Sequence, residues 1–172
     1  MPINEKSIQA RLMRFAMDER NHILAAPNIT NVFHWECDLL SLTRAFFSHE
    51  YEIKLTNGDY KREFEDKKWK HDSLLNRERY YSANVIYYRA IPNYYWFVSP
   101  LDIHVPDYAG WIRVNRLKNG RLDLWIEKPA PRLHNQKLGQ KKIDAAYRVI
   151  SYRLKDMWVD RFGGSNAQKE KA

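Results

Sequence analysis

Apolar and polar residues alternate along two short stretches in the first third of the chain, residues 35–40 and residues 50–55. A period of two is typical of β-strands, because successive side chains of a strand point to opposite faces of the sheet. Residues 43–48 lie between the two stretches and form a short connection, so that the second strand can turn back and pair antiparallel with the first. The pattern therefore predicts two neighbouring antiparallel strands.

A helix is predicted directly after the second strand. Thr56 or Asn57 is suited to cap it, and Asp59 places a carboxylate in its first turn. Residues 59–75 follow the helical period. One stripe of this helix contains Tyr60, Phe64, Lys67, His71 and Leu74. The charged residues on its other faces are interpreted as a solvated surface: Lys61, Arg62, Glu63, Glu65, Asp66, Lys68 and Lys70.

Two polar residues, Lys67 and His71, share the inward stripe of this helix. One interpretation is that each extends towards solvent or finds a local partner, as long polar side chains on an apolar stripe usually do. The alternative is that both reach over the strand ends towards a polar site.

The N-terminal segment also follows the helical period. Ile8, Leu12 and Phe15 form a stripe that continues to Glu19, with His22 close behind. A carboxylate at the end of an apolar stripe is costly to bury unpaired. Glu19 therefore either frays into solvent at the helix end or joins a polar site, and the pattern leaves both open.

A long basic helix is predicted near the C-terminus. Residues 132–155 contain seven Lys or Arg and one acidic residue, Asp144. One face of this helix is apolar and consists of Ile143, Tyr147, Ile150, Leu154 and Met157. Another face is cationic and consists of Lys137, Lys141, Arg148 and Lys155. We expect the apolar face to dock on the body and the cationic face to contact nucleic acid, with a role in solubility as the alternative.

The remaining segments predict further strands. Residues 94–98 are typical of a strand buried on both faces, and residues 111–117 and 122–126 of a hairpin around Asn119-Gly120. Tyrosines and arginines alternate over residues 77–89, which favours cross-strand packing, with stacking on unpaired bases as the alternative. Residues 163–172 form a polar tail that we expect to be disordered.

Asp38, Glu52 and Lys54 form the strongest candidate for chemistry. Strand geometry makes Glu52 and Lys54 project together while Ile53 points into apolar packing, and the antiparallel return lays Asp38 beside Glu52. Two carboxylates supply oxygen ligands suited to Mg²⁺. Lys54 would then orient a nucleophile or offset developing negative charge on a phosphate. The alternative is an ordinary amphipathic strand with an exposed Glu and Lys.

Composition fits one soluble domain with a polyanionic partner. The chain has 172 residues, 44% of them hydrophobic, and a formal net charge of +8. Its single cysteine, Cys37, excludes an intrachain disulfide and a cysteine-rich zinc site. No apolar run has transmembrane length and no secretory signal is visible, so we expect a cytoplasmic protein without membrane contact.

The ordered segments WECDLL, EYEIKL and DYKREFEDKKWKH resemble the PD-(D/E)XK nuclease superfamily, and within it the small MmcB-like proteins of phages and bacteria. Residues 92–100, 106–110 and 128–134 are also similar to that group. The resemblance implies a restriction-endonuclease-like mixed β-sheet flanked by helices and a metal-dependent nuclease site. It matches Asp38, Glu52 and Lys54 to the strand carboxylates and lysine of the motif, and Glu19 to a carboxylate on the first helix. Cys37 stands where the motif has proline.

These observations together predict a single α/β domain over residues 1–162 that hydrolyses DNA with Mg²⁺ or Mn²⁺, in DNA repair, recombination or phage DNA processing. Asp38 and Glu52 hold the metal, the carbonyl of Ile53 adds a ligand, and Lys54 positions or activates water. Glu19, Lys67 and His71 complete the predicted site. The alternative function is a nucleic-acid-binding accessory protein that keeps the fold without turnover. A homodimer is left open.

Overall fold

The computed structural model describes residues 3–76, 79–82, 85–88 and 91–162, with the backbone alone for 79–82 and 85–88. The helices are α1 (Glu5–Arg14), which continues into a π-helical turn (Phe15–Glu19), α2 (Asn57–Asp66), α3 (Lys68–Asn76) and α4 (Gln140–Phe162). The strands are β1 (Leu24–Ile29), β2 (Cys37–Leu42), β3 (Ser48–Ile53), β4 (Arg79–Ser82), β5 (Val85–Tyr88), β6 (Tyr94–Ser99), β7 (Ala109–Arg116) and β8 (Leu122–Lys128).

Six of these strands form one mixed sheet in the order β1-β2-β3-β6-β7-β8. The first three strands are antiparallel neighbours, β3, β6 and β7 run parallel, and β8 returns antiparallel to β7. Strands β4 and β5 pair separately. The predicted α/β class, with one domain built on a mixed sheet flanked by helices, is confirmed.

The two strands predicted to carry Asp38 and Glu52 form an antiparallel pair. Strand β2 begins two residues later than predicted, and β3 begins two residues earlier. Strand β2 begins at Cys37 because Trp35 leaves the ladder and packs in the core, and β3 begins at Ser48, opposite Leu42. The predicted buried strand is β6, and the predicted hairpin joins β7 to β8 with Gly120 at a φ of 81°. A positive φ is what makes glycine suitable at that turn.

Apolar residues cover both faces of the sheet. One face packs against α1, where Ile8, Leu12 and Phe15 are buried as the stripe predicts. The other face packs against α3 and the start of α4 through Leu74 and Ile143. The site lies at the edge of this core, where β3 ends and α2 begins.

The single helix predicted for residues 59–75 is divided in two. Its cap is confirmed, since the Thr56 hydroxyl accepts the backbone N–H of Asp59. The break falls at Lys67, which has φ −112° and ψ 33° and separates α2 from α3. Lys70, beyond the break, is buried against the prediction of one continuous helical wheel, whereas His71 and Leu74 are buried as that wheel predicts.

Helix α4 buries apolar side chains over its first half. Ile143 and Ala146 are buried, whereas Leu154 and Met157 in the second half are 58% and 68% exposed. The prediction that the whole apolar face docks is wrong. Lys137, predicted on this helix, lies before its first residue.

Two predictions concern segments that the structure describes incompletely or not at all. The tyrosines and arginines of residues 77–89 have side chains outside the described residues, although β4 and β5 do pair antiparallel. The tail, residues 163–172, also lies outside them. Within the described part of the chain, no helix is long and apolar enough to cross a membrane.

Candidate active site

Three carboxylates and three lysines meet where β3 ends, and we call them the buried charge cluster. Its members are Glu50, Glu52, Glu63, Lys54, Lys67 and Lys70. All are buried except Lys67, whose side chain is 40% exposed. Strand β3 supplies the first two carboxylates and α2 supplies Glu63. Lys54 directly follows β3, Lys67 directly follows α2, and Lys70 lies on α3.

Glu52 is held from two sides. Its Oε1 lies 2.8 Å from Lys54 Nζ and 2.9 Å from Lys67 Nζ, and its Oε2 lies 2.6 Å from Lys70 Nζ. Strand alternation explains the first contact, because Glu52 and Lys54 project to the same side. The predicted proximity of Lys67 to Glu52 is confirmed.

Glu63 shares the same three lysines. Its Oε2 lies 2.8 Å from Lys54 Nζ and 2.9 Å from Lys67 Nζ, and its Oε1 lies 3.3 Å from Lys70 Nζ. Lys54 and Lys67 therefore both bridge the two carboxylates. The interpretation of Glu63 and Lys70 as solvated surface is wrong, because the break at Lys67 turns Lys70 inwards and Glu63 faces the strand end.

His71 joins the cluster through Glu63. Its Nε2 lies 3.2 Å from Glu63 Oε1, and its Nδ1 lies 2.7 Å from the Tyr108 hydroxyl. Because an ionised carboxylate only accepts hydrogen bonds, a neutral His71 donates from Nε2 and accepts the Tyr108 proton at Nδ1. The structure thus places His71 on the inward stripe and against Glu63.

Asp38 lies opposite Glu52. The register pairs Leu39 with Tyr51, so the preceding residue of β2 faces the following residue of β3. Asp38 Oδ2 accepts the backbone N–H of Ile53 at 2.7 Å. Burial, followed by the negative charge of Glu52, raises the pKa of Asp38 to about 7. The predicted juxtaposition of the two carboxylates is confirmed.

The opposite charges of the cluster stabilise the ionised forms of its members. Burial lowers the pKa of Lys54, but the carboxylates of Glu52 and Glu63 outweigh it and raise that pKa above its usual value. Burial likewise opposes the ionisation of Glu63, while the His71 hydrogen bond and the Lys70 charge bring its pKa below the usual range. Lys54 is therefore an ammonium group at neutral pH.

Glu50 is a carboxylate that the sequence pattern did not assign to the site. It is fully buried, and its Oε1 accepts the indole N–H of Trp35 at 2.7 Å and lies 3.0 Å from Lys70 Nζ. Burial is the main reason that its pKa rises to about 6. Its spacing of two residues from Glu52 is the signal that could have found it, since residues i and i+2 share a strand face.

Glu19 is not brought to the cluster. Its side chain is half exposed and pairs with Arg11 at 2.7 Å, at the far end of the π-helical turn. The helix approaches Asp38 instead through Gln9, whose Nε2 donates to the Asp38 carbonyl at 2.9 Å. Glu19 therefore lies partly in solvent at the helix end, paired with Arg11, and does not join the polar site.

The four predicted nucleic-acid-binding cations are all exposed: Lys137, Lys141, Arg148 and Lys155. Lys155 also pairs with Asp156 at 2.9 Å. In contrast, Lys142 and Arg153 turn to the body and donate to backbone carbonyls, those of Val32 and of Pro27 and Asn28 respectively. The cationic face of α4 is thus open to solvent.

The donor chemistry of Asp38 and Glu52 fits a hard divalent cation. Both are oxygen donors, and burial together with the charge of Glu52 raises the pKa of Asp38 against the opposing charge of Lys54. Within the described residues, no group of three His, Cys, Asp or Glu side chains is arranged as a metal site. An ion would therefore depend on these two carboxylates, water and substrate, which is the usual manner for Mg²⁺.

Comparisons with known proteins give a fold and no family. No protein-family model and no curated protein matches the chain. A solved structure, the SPO1766 protein of unknown function from Silicibacter pomeroyi, superposes with a TM-score of 0.61 at 12% sequence identity. The alignment covers 99% of this chain and 100% of that one. The chain is therefore similar in fold to the SPO1766 protein over nearly its whole length.

Proposed function

We propose that the protein is a PD-(D/E)XK-like, restriction-endonuclease-like nuclease that hydrolyses DNA phosphodiester bonds with Mg²⁺ or Mn²⁺. The observation that carries this proposal is the position of Asp38 opposite Glu52, with Lys54 Nζ 2.8 Å from Glu52 Oε1. Two carboxylates and an ammonium group at one strand end supply a cation site and a charge that faces a phosphate.

Asp38 and Glu52 would hold the ion, and the carbonyl of Ile53 stays a predicted ligand. The bound ion would polarise the phosphate and make water a stronger nucleophile. Asp38 is suited to this role because its pKa of about 7 leaves it ready to exchange a proton for a cation near neutral pH. The backbone N–H of Ile53 fixes the orientation of its carboxylate.

Lys54 acts as an ammonium group rather than as a base. Its pKa is raised by Glu52 and Glu63, so it holds its proton at the pH where the enzyme would work. From this position it donates to water or to a phosphate oxygen and offsets the negative charge that develops there. Of the two roles predicted for Lys54, the raised pKa favours positioning over proton abstraction.

Lys67 lies on the side of the site that faces solvent, and His71 lies buried against Glu63. The partial exposure of Lys67 allows it to leave Glu52 for a substrate phosphate, which frees Oε1 for the ion. His71 hydrogen-bonds Glu63 through one ring nitrogen and the Tyr108 hydroxyl through the other, which keeps Glu63 ionised and in place. Glu63 therefore still contacts Lys54 after Lys67 has moved to the substrate.

The cationic face of α4 would contact the DNA backbone. Lys141, Arg148 and Lys155 on the helix and Lys137 just before it are exposed, and backbone contacts of this kind give affinity without sequence preference. The formal net charge of +8 acts in the same direction.

The second candidate is a nucleic-acid-binding protein without turnover. One observation favours it: three ammonium groups already contact the two oxygens of Glu52, so its charge is neutralised without a metal. In that case the cluster is a structural element and α4 carries the function.

Calorimetry with Mn²⁺ separates the two candidates. A nuclease should bind Mn²⁺, and Asp38→Asn or Glu52→Gln should remove that binding. Glu65→Gln is the matched control, because Glu65 is an exposed carboxylate on α2. Absence of Mn²⁺ binding in the parent protein, with and without DNA, would leave the accessory protein as the function.

A further inference from the structure

A fully buried ion pair lies behind the candidate site. Lys70 and Glu50 have no exposed surface, and Lys70 Nζ lies 3.0 Å from Glu50 Oε1. The Trp35 indole donates to the same oxygen at 2.7 Å. The rings of Trp35 and Tyr95 flank the ammonium, with centroids 5.6 Å and 4.9 Å from Nζ. The pair is therefore enclosed by aromatic side chains.

The same ammonium reaches the site. Lys70 Nζ lies 2.6 Å from Glu52 Oε2, the shortest ion-pair contact that the cluster makes. The two oxygens of Glu52 are thereby divided: Oε2 faces the interior through Lys70, and Oε1 faces the half-exposed Lys67.

Stability alone does not explain a pair buried this deeply. Removing two charges from water costs several kcal/mol per ion, and replacing a buried pair with neutral side chains of similar volume is often neutral or stabilising. A pair that instead orients a ligand has a second effect, because partners behind a metal ligand typically change metal affinity or activity about 10–100-fold.

We propose that Lys70 is a positioning residue, which ties Glu52 to the interior carboxylate Glu50 so that Glu52 presents Oε1 to the ion and substrate. This inference rests on the proposed nuclease function for its effect on metal binding. The orientation of Glu52 is independent of that function and has a readout of its own.

The test uses the double variant Lys70→Met with Glu50→Gln, which removes both interior charges and keeps the volume. We expect its melting temperature to stay close to that of the parent, since the two remaining carboxylates, Glu52 and Glu63, still contact the two remaining lysines, Lys54 and Lys67. Its affinity for Mn²⁺ should fall at least about tenfold. Lys68→Met is the matched control, because Lys68 lies exposed on the same helix. Parent-like Mn²⁺ affinity in the folded double variant would overturn the proposal.

The second readout is the side-chain carboxyl ¹³C resonance of Glu52, assigned by its disappearance in Glu52→Gln. It should move and broaden in the double variant and stay in place in Lys68→Met. An unmoved resonance would overturn the positioning role. If the parent binds no metal, the nuclease proposal fails while this resonance still decides the role of Lys70. Lys70→Gln, which neutralises the same group with a shorter polar chain, gives the same measurement if the double variant does not fold.

Discussion

Lys67 Nζ lies 2.9 Å from Glu52 Oε1, and Lys67 is the one half-exposed member of an otherwise buried charge cluster. An ammonium in this position competes with a metal ion for the same oxygen. The resting site is thus neutralised by its own lysine, and a substrate phosphate offers that lysine another partner.

The competition predicts that Lys67→Met binds Mn²⁺ more tightly than the parent. A partly exposed ion pair contributes about 0.2–1 kcal/mol, so the gain should be up to about fivefold. Cleavage should nevertheless slow, because the variant lacks the ammonium for the phosphate. Calorimetry with Mn²⁺ gives the affinity, and Lys68→Met should leave it unchanged. Weaker Mn²⁺ binding by Lys67→Met would show that Lys67 does not compete.

Lys54→Ala should abolish metal-dependent cleavage while DNA affinity stays nearly intact. The ammonium acts on charge that develops during the reaction, and removal of such a donor costs about 10²–10³ in rate. One contact is a small share of a multi-contact DNA interface. Single-turnover rates and filter binding measure the two effects, with the exposed Lys61→Ala as control. Unchanged cleavage would remove Lys54 from the mechanism.

Acid should destabilise the protein through two partly buried imidazoles, His22 and His49, whose rings lie 4.7 Å apart. Burial is the main cause that lowers their pKa values to about 4 and about 3. An unfolded histidine titrates near 6.5, so the unfolded state binds the extra protons. Stability is therefore complete above about pH 6.5 and decreases as the pH falls towards 4 and 3.

Urea unfolding at several pH values between 7 and 4 measures this decrease. His49→Gln should show a shallower decrease than the parent, and the exposed His104→Gln should show the parental decrease. Asp38 has a raised pKa and contributes in the opposite direction, so the comparison of parent with variant isolates the histidine effect. Equal slopes for parent and His49→Gln would contradict the prediction.

The cationic face of α4 predicts a strong salt dependence of DNA binding. Replacing Lys137, Lys141, Arg148 and Lys155 with glutamine should reduce the slope of log affinity against log salt by about one unit for each phosphate that is no longer neutralised. Folding should persist, because the buried Ile143 and Ala146 are untouched. A matched variant changes four other exposed cations to glutamine: Lys61, Arg62, Lys68 and Lys118. Equal slopes for the two variants would assign α4 a role in solubility.

Local pattern was sufficient for part of the site. Strand alternation placed Glu52 with Lys54, and a short return placed Asp38 opposite Glu52, because both relations depend on neighbouring backbone. Glu63 and Lys70 were missed for the opposite reason. The direction of Lys70 depends on the helix break at Lys67, and residues 59–75 contain no strong helix breaker at that position. The burial of Glu63, which precedes the break, depends on the position of α2 beside Lys54 at the end of β3.

The fold likewise has features that local sequence patterns predict and features that depend on the assembled structure. Alternation and turn residues predicted the β7–β8 hairpin correctly, since Asn119-Gly120 specifies the turn by itself. The periodicity of α4 marked an apolar face, but whether Leu154 and Met157 are covered depends on what the rest of the chain places beneath that half of the helix. That arrangement is a property of the assembled fold and not of the helix.

The most direct test is cleavage of a panel of end-labelled duplex, nicked, branched and single-stranded DNA by the purified protein with Mg²⁺ or Mn²⁺. The proposal predicts cleavage of at least one substrate that chelation stops, that Glu52→Gln lacks and that Glu65→Gln retains. Absence of cleavage of every substrate by a folded parent protein, or equal cleavage by Glu52→Gln, would contradict the proposed function.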